Sequence, residues 1–161
     1  MGFKRKVDRA LADAASKGSV AGVKAAIDSG ADVNARDEND TSVFMETAGY
    51  CKNPDVIKML VDAGVEVNAR NKAGTTALMY AAWNNRNPNV MQALLDVGCD
   101  VSARDKLGNS ALMITASYNI SASVVTTLLN AGADVNVVNE HGRTALMEAA
   151  RHHPDVDVVK M

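Results

Sequence analysis

The sequence predicts an all-α repeat solenoid of paired antiparallel helices joined by β-hairpin fingers. Three observations carry that prediction: a segment that returns every 34 residues, helix-capping side chains at fixed places in each return, and a stretch rich in Gly, Asp and Asn between helix pairs. Gly30-Ala31-Asp32-Val33-Asn34-Ala35-Arg36-Asp37 returns as Gly64-Val65-Glu66-Val67-Asn68-Ala69-Arg70-Asn71. It returns again as Gly98-Cys99-Asp100-Val101-Ser102-Ala103-Arg104-Asp105 and as Gly132-Ala133-Asp134-Val135-Asn136-Val137-Val138-Asn139. A period of this size marks stacked supersecondary units, each too small to bury its apolar face alone.

The elements follow in chain order. The finger, clearest from Gly98 to Gly108, combines turn formers with Val at alternate positions, which reads as an extended hairpin. Ser42, Thr76, Ser110 and Thr144 then precede apolar stretches, and their hydroxyls suit the free backbone N–H groups of a first helical turn. Asn53, Asn87, Ser121 and Asp155 repeat that role before a second helix, with Pro54 and Pro88 at the first helical position, where a missing N–H costs nothing. Gly64, Gly98 and Gly132 suit the left-handed residue that closes it. Asp40 stands where the other fingers have Gly74, Gly108 and Gly142, so the first finger is expected to be bent or mobile. Matching Val23 to Ile57 makes the first unit one residue shorter between its helices.

The repeats form a single domain over 1–161: an N-terminal unit at about 3–36, full units at about 37–70, 71–104 and 105–138, and an incomplete C-terminal unit at 139–161. Asp157-Val158-Val159-Lys160-Met161 aligns with Asp55-Val56-Ile57-Lys58-Met59. An uncapped C-terminal face is therefore expected, and with it end-to-end self-association.

Composition narrows the classes. Hydrophobic residues at 47% and charged residues at 22% are ordinary for a globular chain, and a net charge of −2 argues against nucleic acid and anionic membranes as partners. No run approaches the ~20 apolar residues of a membrane span. The opening Met1-Gly2-Phe3-Lys4-Arg5-Lys6 lacks a signal peptide's apolar stretch, so a cytoplasmic location is expected. Cys51 and Cys99 fall at opposite ends of helices, roughly 12–15 Å apart, and no disulfide is expected.

Thr76-Ala77-Leu78-Met79-Tyr80-Ala81-Ala82 and Thr144-Ala145-Leu146-Met147-Glu148-Ala149-Ala150 look like the T-P-L-H-x-A-A motif of ankyrin repeats, and the Gly-Ala-Asp-Val-Asn-Ala tail matches as well. The chain resembles that family over essentially its whole length, in a TALM-x-AA wording similar to bacterial members. The motif's Pro is Val43, Ala77, Ala111 and Ala145 here, and its His is Met45, Met79, Met113 and Met147. In the family that His hydrogen-bonds around the hairpin. A thioether is not expected to replace those bonds, and a buried column of sulfur is expected instead.

The resemblance implies a non-enzymatic module that binds another protein through its concave face and hairpin tips. Helical periodicity puts Glu46, Gly49 and Tyr50 on the stripe facing the hollow, followed by Tyr80, Trp83 and Asn84, then Ile114, Ser117 and Tyr118, then Glu148, Arg151 and His152. Four of the six aromatic residues fall there; of the other two, Phe44 replaces a core Leu and Phe3 covers the N-terminal end. Such rings dominate interface hot spots, although packing against one another across repeats is the alternative. Arg70 with Lys72 and Arg104 with Lys106 make the central fingers basic, suited to an acidic stretch of a partner. The candidate partner-binding set is thus Tyr50, Tyr80, Trp83, Asn84, Tyr118, Arg151, His152, Arg70, Lys72, Arg104 and Lys106. A structural spacer or a piece of a longer repeat protein is the alternative function. No catalytic triad, phosphate loop or metal-ligand spacing is present, and His152-His153-Pro154-Asp155 lacks further ligands, so neither enzyme chemistry nor a cofactor is expected.

Overall fold

The computed structural model describes residues 3–118 and 121–152, and nine helices form among them. They are α1 (Lys6–Ser16), α2 (Val20–Asp28), α3 (Val43–Tyr50), α4 (Pro54–Asp62), α5 (Ala77–Asn84), α6 (Pro88–Asp96), α7 (Ala111–Tyr118), α8 (Ala122–Asn130) and α9 (Ala145–His152). Starts at Val43, Ala77, Ala111 and Ala145 keep the 34-residue step, as do Val20, Pro54, Pro88 and Ala122. The odd-numbered helices pack side by side in an inner row, and the even-numbered helices α2, α4, α6 and α8 form a second row behind it.

The core lies between the rows. Leu11, Phe44, Leu78 and Leu112 come from the inner helices, and Val23, Ile57, Met91 and Leu128 from the outer ones. Phe3 closes the N-terminal end as expected. Ala15 and Ala48 are both fully buried, yet Val23 follows the first after eight residues and Ile57 follows the second after nine. The shorter link of the first unit is therefore real.

Fingers form from turns rather than from paired strands. Among the described residues the only extended pairing is two isolated bridges, Arg36 with Ser42 and Arg104 with Ser110. The reason lies in the Asx residue at the base of each finger. Asp37 Oδ1 accepts from the N–H of Asn39 and of Thr41, both at 2.8 Å, and Asn71, Asp105 and Asn139 do the same for their own fingers at 2.8–3.1 Å. Donors that a strand partner would use are thus held locally. Asp40 adopts φ 61° and donates its N–H to Asp37 O at 3.1 Å, matching the turn made by Gly74, Gly108 and Gly142. The expected bend at the first finger is absent. The Asp carries the left-handed strain in an otherwise regular turn.

Caps behave as predicted at Ser42, Ser110 and Thr144, whose hydroxyls accept from Met45, Met113 and Met147 N–H, and at Asn53 and Asn87. Thr76 and Ser121 depart from the prediction, since neither makes a side-chain cap bond; Thr76 Oγ1 is buried without a partner. Asp155, His153 and the segment Asp157–Met161 lie outside the described residues.

The methionine column is buried at Met45, Met79 and Met113, while Met147 is 55% exposed and its neighbour Leu146 58%. Among the described residues no inner helix follows α9, whereas α5, α7 and α9 pack against the helices that carry Met45, Met79 and Met113. The sulfur also does more than fill space: Met45 Sδ accepts the Ser42 N–H at 3.5 Å, closing a capping box. A thioether thus replaces one bond that it was not expected to make, though as a weak acceptor.

Met79→Ala should cost about 2–5 kcal/mol in urea unfolding, whereas Met147→Ala should change stability by about 0.5 kcal/mol or less. Asp40→Gly should raise stability by about 1 kcal/mol by relieving the left-handed residue, read as a higher midpoint in the same experiment.

Candidate functional site

A groove runs between the inner helices and the fingers. One cavity of about 470 Å³ is lined by Trp83, Ile114, Tyr118, Arg151 and His152 from the helices and by Lys106, His141 and Arg143 from the fingers, among others. A second, of about 350 Å³, lies one unit earlier against Thr41, Asn71, Lys72, Tyr80 and Trp83. Trp83 borders both and joins them.

The rings form a ladder along this groove. Tyr80 meets Trp83 edge-on with centroids 6.2 Å apart, Trp83 meets Tyr118 of the next unit at 6.2 Å, and Tyr118 lies 5.7 Å from the His152 ring. Each aromatic pair of this geometry contributes about 0.5–1.5 kcal/mol beyond the area it buries. Mutual packing and presentation to solvent coexist, because Tyr50 is 58% and Tyr118 59% exposed. Tyr80 is half-buried, its hydroxyl 3.3 Å from both Thr41 Oγ1 and Asn71 Nδ2.

The stripe is narrower than periodicity suggests. Asn84 and Arg151 are exposed, but Gly49, Ile114, Ser117 and Glu148 are buried, since adjacent inner helices and the fingers close over them. Glu148 accepts from Asn139 Nδ2 at 3.1 Å and from Arg143 Nη1 at 3.4 Å, with His152 Nε2 3.6 Å from its second oxygen. At the other end of the groove Glu46 is half-buried, and its carboxyl holds its proton to higher pH than an ordinary Glu: burial is the main cause, followed by the negative charges of Asp37 and Asp13.

The finger arginines take on a role that their charge alone does not reveal. Arg36 Nη1 donates to Arg70 O at 3.1 Å while Nη2 pairs with Glu66 at 2.6 Å. Arg70 Nη2 donates to Arg104 O, and Arg104 Nη2 to Val138 O, each reaching the finger of the next unit. Lys72 Nζ reaches back to Glu38 O at 2.5 Å, and Lys106 is exposed at the mouth of the larger cavity. Main-chain bonds run alongside, from Lys72 N to Asn39 O, Lys106 N to Ala73 O and Glu140 N to Leu107 O, at 2.9–3.0 Å.

Two further stacking devices escape a reading based on composition. Asn34 donates to Gly64 O and accepts from Glu66 N, and Asn68 repeats this with Gly98 and Asp100. Asn85, buried, donates to Ala48 O at 3.0 Å and Cys51 O at 2.7 Å. The signal for the first is recurrence at the 34-residue step. The second carries the same signal once, since Asn119 stands 34 residues after Asn85, outside the described residues.

Both cysteines are buried and unbonded to each other. Burial raises both thiols, Cys99 to about 12, while a backbone N–H from Asn53 partly opposes the rise at Cys51. Among the described residues no group of three His, Cys, Asp or Glu side chains could hold a metal ion, and no helix is long and apolar enough to cross a membrane.

Two rows of capped helices, stacked by a fixed translation and presenting an open groove, define a helical-repeat solenoid. A family model described as ankyrin repeats (3 copies) matches residues 11–105 and 87–161, and the chain belongs to that family. Among curated proteins none matches the chain.

At pH 8 a disulfide reagent should label neither thiol of the native protein and both after urea unfolding. Because the folded thiols titrate above their ordinary 9.0, Cys99's stabilising contribution is full below that pH and is lost as pH rises towards about 12, so the urea midpoint should fall across that window.

Proposed function

We propose that this chain is a non-enzymatic module that captures another protein in the groove between its inner helices and fingers. Ankyrin repeats are generally protein–protein interaction modules, which sets the class. The single observation that carries the site is the ring ladder Tyr80–Trp83–Tyr118–His152, packed on one side and open to solvent on the other. Tyr50, Asn84 and Arg151 extend it along the helices, and Arg70, Lys72, Arg104 and Lys106 border it on the fingers. In this reading the two arginines act mainly by holding the fingers in register, and the lysines supply the accessible charge. Another protein, rather than nucleic acid or a membrane, is the partner we assign. The cytoplasm is the setting that two buried free thiols favour.

A second reading is favoured by Leu146 and Met147, whose counterparts Leu112 and Met113 are covered by the following helix. Their face suits a further repeat unit or a second copy, which would make the chain an element of a larger array.

Trp83→Ala with Tyr118→Ala tests the leading reading. Loss of about 2 kcal/mol at each ring predicts affinity for a captured partner at least about 30-fold weaker, with the helical circular dichroism unchanged. Undiminished capture by the double variant would remove the groove from consideration.

A further inference from the structure

The groove changes character along its length. Its N-terminal part is bordered by carboxylates: Asp13 on α1 and Glu46 on α3, neighbours in the inner row, and Asp37 at the base of the first finger. Asp13 occupies in the shortened first unit the place that Glu46 holds in the second, so the two belong to one stripe. Glu38 and Asp40, both exposed, add to this end, while Lys17 at the end of α1 and Lys72, whose Nζ reaches Glu38 O at 2.5 Å, bring positive charge to it. The middle is aromatic, with Tyr80, Trp83 and Tyr118, and Lys72 stands beside the first two on the finger side.

The C-terminal part is basic. Lys106, Arg143 and Arg151 line the larger cavity with His141 and His152. Its two carboxylates are already occupied: Asp105 accepts from two backbone N–H groups and from Asn109 Nδ2, and Glu148 from Asn139 and Arg143. Glu140 is exposed on the last finger, but Lys106 and Arg151 outnumber it, so what this end offers a ligand is net positive charge.

Resting on the groove reading above, we infer that the partner presents an extended, charge-segregated segment, with basic side chains over Glu46 and Asp13, an apolar centre on Trp83 and Tyr118, and acidic side chains at Lys106 and Arg151. Opposite charges at the two ends fix its direction along the array. A uniform groove would bind either direction, whereas here the reversed segment meets like charge at both ends. From α1 to α9 there are four inter-helix steps of about 8–10 Å each, so the segment spans roughly 36 Å. At ~3.3 Å per residue that is about eleven residues.

Trp83 is the only tryptophan of the chain, so its emission reports occupancy of the groove directly. Three probe peptides of about eleven residues and one composition suffice: two lysines, a leucine- and proline-containing centre and two glutamates in one chain order, the same blocks in the opposite order, and a version with the charges interleaved. One block peptide should bind at least tenfold tighter than the other two at low salt, and the preference should shrink as salt is added. Reversing the ends of the groove with Asp13→Lys, Glu46→Lys, Lys106→Glu and Arg151→Glu should transfer the preference to the opposite order. If that variant loses its helical circular dichroism, Glu46→Gln with Arg151→Gln should level the two orders instead.

Several outcomes overturn the inference. Equal binding of block and interleaved peptides, or an order preference that survives reversal, refutes the polarity while leaving the groove reading standing, provided that binding still requires Trp83 and Tyr118. An all-glutamate peptide binding as tightly as the best block peptide assigns the site to its basic end alone. Concentration-dependent sedimentation of the chain by itself, lost in the Trp83→Ala and Tyr118→Ala variant, assigns the groove to a second copy. No response to any probe at low salt also counts against the inference, and the capture experiment then decides the groove reading separately.

Discussion

Everything in this structure depends on each unit satisfying the polar groups of its neighbour at a fixed offset. The fingers are turns whose outward carbonyls have no strand partner, and an array of such turns would leave main-chain groups unpaired. Arg36, Arg70 and Arg104 reach across to the carbonyls of Arg70, Arg104 and Val138, and a main-chain bond joins each finger to the next. Behind them Asn34 and Asn68 clamp the turn that follows the outer helix of the next unit from both its donor and its acceptor side. Each guanidinium or carboxamide holds two units at once, so the stack is bonded along its axis as well as packed.

That division of labour explains where a partner can bind. A side chain needed for stacking must recur, because every junction poses the same geometric problem. The Arg of the finger recurs three times and gives way at Val138. The groove obeys the opposite rule: its stripe position holds Asp13, Glu46, Tyr80, Ile114 and Glu148 in successive units. The stack accommodates a different side chain there in each unit, buried at Ile114 and Glu148 and exposed at Asp13, and this makes one groove chemically different at its two ends. Variable positions on a repetitive frame are thus the place to look for recognition, while the repeated charges mainly serve the frame.

Much of the architecture was legible because it is written several times. Helix starts, capping hydroxyls and finger turns follow from residues that return at 34-residue intervals, and the chain's assignment to its family rests on the same recurrence. The failures are equally physical. Alternating Val in the fingers suggested extended pairing, but the Asx side chain at each finger base captured the donors first. Thr76 looks identical to Ser42 and Ser110 yet makes no cap, an outcome of hydroxyl orientation that no letter encodes. The finger arginines looked like a basic patch because composition shows charge, whereas their range across one repeat is visible only when the units are stacked. Asn85 returns as Asn119, but its two bonds to the preceding unit are likewise visible only in the stack.

The replacement of the family's histidine by methionine shows how a frame of this kind tolerates chemical change. An imidazole at that register can donate and accept; a thioether is one weak acceptor on a flexible stem. Met45 still takes the Ser42 N–H, but the greater change is that a hydrogen-bonding column has become an apolar one, buried at Met45, Met79 and Met113. Bonds lost around the helix start are offset at the fingers, where the Asx residues hold their own backbone and the arginines hold the next unit. Apolar columns, unlike hydrogen-bonded ones, are stable only where they are covered. Met147 with Leu146 is the exposed end of that column among the described residues, and α9, which carries both, also supplies Arg151 and His152 to the larger cavity. In the proposed reading a unit or copy that covered this face would also bound the basic end of the groove, so that assembly along the axis and recognition would meet at α9.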